Sequence, residues 1–340
     1  MTKVGMRVLG GGLAVGSLGA VSWFIYRAFQ SDFSFGKVQP GQFAGAVAVQ
    51  LVVLLLLPWL WVFLLGFFGA RPTDQAGGSG RLALYKAYSR SWLARYIPGR
   101  VWTFGGRMFL ATKIGIPAET VVRSMALEII FSYGMLTVLG VALILFVKVH
   151  LLASGVTFIV GIIVLTMSFP IGQNLIASSN AVYGNKSLWH AVRRSIHRVF
   201  VGEKPLELRS SIWGITAYGT HACLQLVFIV LLAQSFADLT LDQAITIAGA
   251  WALSSTLGYF TFLVPGGLGV RDGLALVLFS QVLDAPTSSL IVAASRIVTI
   301  TTDLAFVGIV EVLAIAVKIC GGYSTQPEQN HRPRNTNFNR

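Results

Sequence analysis

The chain has 340 residues, of which 54% are hydrophobic and only 11% charged, with a mean hydropathy of +0.71. This composition excludes an ordinary soluble domain and a disordered chain, and points to an all-α polytopic membrane protein. The 26 basic residues outnumber the 13 acidic ones, for a net charge of +13; in a membrane protein such an excess belongs to loops beside anionic lipid rather than to nucleic-acid binding.

In chain order, apolar runs long enough to span a bilayer are expected at residues 8–29, 43–69, 118–147, 151–172, 211–236 and 287–319. The first follows Lys3 and Arg7 but has no small-residue cleavage pattern, so it is read as a retained anchor helix. Residues 82–114 and 241–284 are interrupted by Pro-Gly pairs and are read as two re-entrant hairpins; if the second crosses fully, the count becomes eight spans. Residues 173–209 form a loop in which Leu188, Trp189, Val192 and Ile196 share one face of an expected amphipathic surface helix, within residues 186–200. Gly77-Gly78-Ser79-Gly80 is a flexible connector, and residues 326–340 form a polar tail expected to be disordered. Cys223 and Cys320 lie in apolar stretches and are expected to be buried thiols, with no disulfide framework, metal site or cofactor implied.

Six crossings and two hairpins place both ends of the chain on one side. That side collects 20 of the 26 basic residues, so the positive-inside rule assigns it to the cytoplasm of a bacterial-type membrane. Residues 1–325 then form one integral membrane domain with pseudo-repeats at about 43–147 and 211–319. Three crossings between the hairpins invert the second relative to the first, the plan of many secondary transporters.

The repeat is visible as a motif. The first copy reads Tyr96-Ile97-Pro98-Gly99-Arg100, then Gly105-Gly106-Arg107 and Ile116-Pro117; the second reads Val264-Pro265-Gly266-Gly267, then Gly269-Val270-Arg271-Asp272 and Ala285-Pro286. After each break a half-helix begins, and two half-helix N-termini facing one cavity would offer unpaired N–H groups and partial positive charge to an anion. The glycines permit tight turns, and Arg100, Arg107 and Arg271 add full charges suited to phosphate. Close helix packing and snorkelling arginines account for the same residues without a ligand.

Glu128, 11 residues beyond Pro117, and Arg296, 10 beyond Pro286, occupy nearly equivalent places in the long helices that follow. A charge at that depth needs a partner or a wet cavity. The expectation is that Glu128 and Arg296 pair across the repeat interface and that Asp303, two turns beyond Arg296, borders the same cavity. Glu311 is expected nearer the inner end, in water.

At these residues the chain resembles the flippase-like membrane region of lysylphosphatidylglycerol synthases. The resemblance rests on Tyr96-Ile97-Pro98-Gly99-Arg100 with Gly106-Arg107 and Gly115-Ile116, and more on Val264-Pro265-Gly266-Gly267-Leu268-Gly269-Val270-Arg271-Asp272-Gly273 followed by Arg296. It extends from about residue 8 to 319. It implies movement of an anionic or zwitterionic headgroup, of an aminoacyl-phospholipid or a polyprenyl-linked glycolipid, between leaflets, with a lipid-modifying enzyme as a separate partner. No stretch is long and polar enough for a soluble aminoacyltransferase, so a stand-alone, non-enzymatic member is expected. Asp272 stands where the family commonly has Glu, and Ile129 and Ser132 stand where it often has Arg and Asp. The alternatives are a small-solute secondary transporter and a membrane-embedded glycosyl- or acyltransferase acting on a lipid carrier.

Overall fold

The structure, a computed structural model, describes residues 38–70, 80–97, 101–179, 208–261 and 269–322. The expected anchor at 8–29, the amphipathic segment at 186–200 and the tail lie outside the described residues. All regular structure among those described is helical: α1 (Pro40–Phe67), α2 (Gly80–Leu93) with a 3-10 turn (Ala94–Tyr96), α3 (Val101–Thr112), α4 (Ala118–Lys148), α5 (Leu151–Ser179), α6 (Leu208–Gln234), α7 (Leu241–Phe260), α8 (Val270–Phe279) and α9 (Ala285–Gly322). Four helices are long and apolar enough to cross a membrane: α1, α4, α6 and the Ala285–Val317 part of α9. They correspond to four of the six runs read from hydropathy. The fifth, expected at 151–172, is the helix Leu151–Ser179, with a shorter apolar stretch at Leu151–Met167.

By contrast α3 and α8 have only 12 and 10 residues. At 1.5 Å per residue they reach about 18 and 15 Å, roughly half of a hydrocarbon core. Each folds back on its predecessor, α3 on α2 and α8 on α7, so both interrupted segments are hairpins. The open end of the second is tied by Gln243, whose Nε2 donates to the Val282 carbonyl at 2.9 Å. Gln243 also completes a capping box with Thr240 at the start of α7.

The helix contacts pair off between the halves. α1, the α2–α3 hairpin and α4 match α6, the α7–α8 hairpin and α9. Accordingly, α4 packs on α7 as α9 packs on α2, α4 on α6 as α9 on α1, and α1 on α2 as α6 on α7. The equivalent helices α1 and α6 run antiparallel. At one end the Gln39 N–H donates to the Ser235 carbonyl at 2.9 Å and Phe43 meets Phe236 edge-on. At the other, Leu60 and Leu64 share a core with Ile215 and Tyr218. Halves related in this way turn their hairpins toward opposite ends of the bundle: the second packs around Ala46 and Phe236, the first around Leu65, Ala111 and Val310. α5 stands outside the repeat, against α4 and α6.

α4 and α7 approach each other closely at Gly140 and Gly249. A Cβ added at Gly140 would lie 2.9 Å from the Ala252 Cβ and 3.2 Å from the Gly249 carbonyl oxygen; one added at Gly249 would lie 2.9 Å from Ile144. Small residues here let the backbones meet, the usual basis of tight packing where lipid supplies no hydrophobic drive. One expectation is reversed: Cys223 faces outward from α6 rather than into the core, because α6 buries the face carrying Ala222 and Leu226.

At the start of α9, Asp284 accepts the Thr287 backbone N–H at 3.0 Å, which holds its carboxyl below the usual carboxylate range.

Two outcomes follow. Gly140→Leu should destabilise the detergent-solubilised protein by about 1–3 kcal/mol through overpacking, whereas Gly155→Leu on α5, where an added Cβ meets nothing within 4 Å, should leave the unfolding midpoint unchanged. Asp284→Ala should cost about 1 kcal/mol at neutral pH. The contribution of Asp284 is present above about pH 4 and fades as pH falls through its depressed folded value, so the gap between wild type and variant should close in acid.

Candidate functional site

A cavity of about 150 Å³ lies at the centre of the bundle, where the two halves meet. Every repeat helix contributes to it: Gln50 from α1, Trp92 from α2, Thr103 and Arg107 from α3, Glu128 and Tyr133 from α4, His221 from α6, Trp251 and Ser255 from α7, Arg271 from α8 and Thr299 from α9. Thr103 is in the first turn of α3 and Arg271 in the first turn of α8, so the beginnings of both half-helices border one space.

Glu128 and Arg296, the charges midway along α4 and α9, are each paired within their own half. In the first, the Arg107 guanidinium on α3 pairs with the Glu128 carboxylate on α4, which also accepts the Tyr88 hydroxyl. In the second, the polarity is reversed: Asp272 on α8 carries the negative charge and Arg296 on α9 the positive one. Arg296 Nε donates to both Asp272 oxygens at 2.8 Å, and its Nη2 lies 2.6 Å from Oδ2. The expected Glu128–Arg296 pair across the repeat interface is therefore replaced by two pairs within repeats. The physical reason is adjacency: α3 packs on α4 and α8 on α9, so each deep charge finds its nearest opposite on the preceding half-helix.

Arg271 is left with less. Its Nε reaches Asp272 Oδ1 only at 3.5 Å, and one terminal nitrogen, Nη2, is buried with no hydrogen-bond partner. Two features hold the side chain in place. Its guanidinium stacks 4.7 Å from the Trp251 ring centroid, and Gly258 lets it pass under α7, since a Cβ there would lie 2.5 Å from the Arg271 Cβ. The other cavity arginines are stacked as well, Arg107 at 3.8 Å over Tyr88 and Arg95 at 4.5 Å over Trp92.

Asp303 does not line the cavity. It is fully buried behind it, accepting from Trp92 Nε1 at 2.8 Å and from the Tyr96 hydroxyl, with Arg95 at 3.6 Å. It fixes two lining residues, Trp92 and Arg95, rather than touching the space itself. Glu311 is not simply solvated: it pairs with Arg90 Nε at 2.6 Å and Lys86 at 3.3 Å, joining α9 to α2.

Of the sequence-predicted site residues, Arg107, Glu128 and Arg271 line the cavity, Asp272, Arg296 and Asp303 stand directly behind its wall, and Gly269 caps α8 with a φ of +91° that glycine tolerates. Pro98, Gly99, Arg100, Pro265, Gly266 and Gly267 lie outside the described residues. Sequence reasoning missed Arg95, Thr103, His221 and Ser255 as lining groups. His221 carried a signal, as a lone titratable residue in a membrane-length helix; Thr103 and Ser255 carried none. A scan against protein-family models gives no match to this chain, and neither does a search of curated proteins.

Removing Glu128 alone leaves Arg107 buried and unpaired. Glu128→Leu should cost about 3–5 kcal/mol in unfolding measurements, and the double variant Glu128→Leu/Arg107→Leu should recover most of it. In double-mutant cycles, Glu128 should couple more strongly to Arg107 than to Arg296.

Proposed function

We propose that this protein is a lipid transporter that moves an anionic or zwitterionic headgroup between leaflets through the central cavity. The observation that carries this reading is that one charged, buried space is bordered by the first turns of two short half-helices belonging to hairpins directed to opposite ends of the bundle. The antiparallel relation of α1 and α6 supports reading both hairpins as re-entrant, one from each membrane face, with the chain's ends on the cytoplasmic side. The motifs around Pro98 and Pro265, which resemble the flippase-like region of lysylphosphatidylglycerol synthases, favour a lipid cargo.

In this reading the headgroup rests between the halves while the acyl chains stay in lipid. Each half-helix is bound by charge to the long helix after it, Arg107 to Glu128 and Asp272 to Arg296. A hairpin tip and its following helix therefore move as a unit, and displacement of one half against the other exposes the cavity to alternate faces. At the α2–α9 seam the partly exposed pairs of Glu311 with Arg90 and Lys86 can exchange their partners for water. The glycine-packed α4–α7 seam cannot do so without exposing backbone to lipid.

Purified protein in liposomes containing fluorescent phospholipids tests this. Leaflet exchange should rise over empty liposomes with no covalent change to the lipid, and Glu128→Gln should lower it on the order of tenfold by breaking a buried ion pair. A chemically modified lipid product would instead establish a transferase, and solute uptake without lipid exchange a solute carrier.

A further inference from the structure

Among the described residues, eight buried side-chain nitrogen or oxygen atoms lack a hydrogen-bond partner, and four of them belong to residues that line the central cavity: Thr103 Oγ1, His221 Nε2, Ser255 Oγ and Arg271 Nη2. They come from four helices, α3, α6, α7 and α8, and so converge on the space from different directions. His221 is 2% exposed and Arg271 9%. Buried polar atoms are normally satisfied, and a cluster of exceptions on one surface marks a place where a polar partner belongs.

The chemistry of the four atoms defines that partner. A guanidinium nitrogen only donates, and the two hydroxyls donate freely by rotation. His221 Nδ1 faces Gln225 Nε2 at 3.4 Å; with that amide orientation Nδ1 accepts, so in the neutral ring the proton sits on the unpartnered Nε2. All four groups can therefore donate at once, and a ligand rich in acceptors matches them.

The charge of the surroundings narrows it further. Around the cavity stand four guanidiniums, of Arg95, Arg107, Arg271 and Arg296, and three carboxylates, of Glu128, Asp272 and Asp303. Arg107 holds Glu128, Arg95 stands by Asp303 and Arg296 takes Asp272 at both oxygens, so the uncompensated positive charge resides at Arg271. One negative charge balances it. A phosphodiester carries one at any pH above its low pKa, whereas a phosphomonoester carries about 1.5 to 2 at neutral pH. A phosphodiester also offers two free oxygens, each able to accept two bonds, which matches four converging donors.

We propose that Thr103, His221, Ser255 and Arg271 bind a single phosphodiester, with Arg271 as its counter-ion. The identification of that phosphodiester with a lipid headgroup rests on the transport reading above; the site itself does not.

The test uses full-length protein in a phosphate-free maltoside detergent, with the unfolding midpoint followed against sn-glycero-3-phosphoglycerol, glycerol 3-phosphate, inorganic phosphate and sulfate. The phosphodiester should raise the midpoint at concentrations where the phosphomonoester, phosphate and sulfate do not. Arg271→Gln should weaken its binding roughly ten- to hundredfold, as expected for loss of a charge-assisted contact. Ser255→Ala and Thr103→Val should weaken it by lesser factors while leaving the unliganded protein as stable as before or more so, because each removes an unpaired hydroxyl. Equal shifts from all four anions would overturn the charge assignment, and a phosphodiester shift preserved in all three variants would overturn the site. In liposomes, a phosphodiester shift lost in Arg271→Gln but no leaflet exchange would sink the transport reading alone, with uptake of labelled glycerophosphoglycerol then naming a free solute as the source. Undiminished lipid exchange by Arg271→Gln would overturn the identification of that phosphodiester with the transported headgroup and leave the transport reading standing.

Discussion

A charge placed midway along a helix of membrane length must meet an opposite charge, and this requirement organises the centre of the protein. Glu128 and Arg296 occupy almost the same position in two related halves and have opposite signs. Each is answered from the half-helix that precedes it, by Arg107 and by Asp272. The geometry of the repeat is thus retained while its charges are exchanged. The same exchange explains why Arg271 is incompletely matched: its neighbouring carboxylate is already held at both oxygens by Arg296.

The two halves also differ in how their equivalent seams are made. Where α4 meets α7, Gly140 and Gly249 bring backbones together and Tyr133 stacks on Tyr259 with ring centroids 3.8 Å apart. Where α9 meets α2, apolar packing of Leu84 and Tyr88 with Phe306 and Val310 is joined by polar contacts, Asp303 receiving Trp92 and Tyr96, and Glu311 receiving Arg90 and Lys86. Close apolar contact is unforgiving of separation, since dispersion falls steeply with distance. The Glu311 pairs are partly exposed, and charged contacts of that kind are worth little and are readily replaced by solvent. One architecture therefore carries a stiff seam and a compliant one in equivalent positions.

Much of this was legible from residues alone, for identifiable reasons. Long apolar runs give α1, α4, α6 and α9 because a bilayer imposes length and hydropathy together. The Pro-Gly breaks give the hairpins because backbone cannot be left unpaired in lipid. Deep ionisable residues gave Glu128, Arg271 and Arg296 because buried charge is costly. Partner choice was not legible: equivalence of position implied Glu128 with Arg296, whereas adjacency of helices decides it, and adjacency belongs to the fold. Thr103 and Ser255 were invisible for a different reason, since hydroxyls in apolar helices usually bond their own backbone, as Thr137 and Ser254 do here. Only three-dimensional placement separates those that do not.

Charge closure within each half bears on the order in which the chain is made. Synthesis delivers the first half before the second exists. Were Glu128 paired with Arg296, it would wait in the bilayer, unneutralised, for nearly 170 residues of further translation. With Arg107 behind it and Tyr88 beside it, Glu128 is neutralised as soon as the first half settles into lipid, and Arg296 is neutralised in the same way by Asp272 in the second. Arg95 and Asp303, and Glu311 with Arg90 and Lys86, must await each other, so their meeting joins two halves whose Glu128 and Arg296 are already paired.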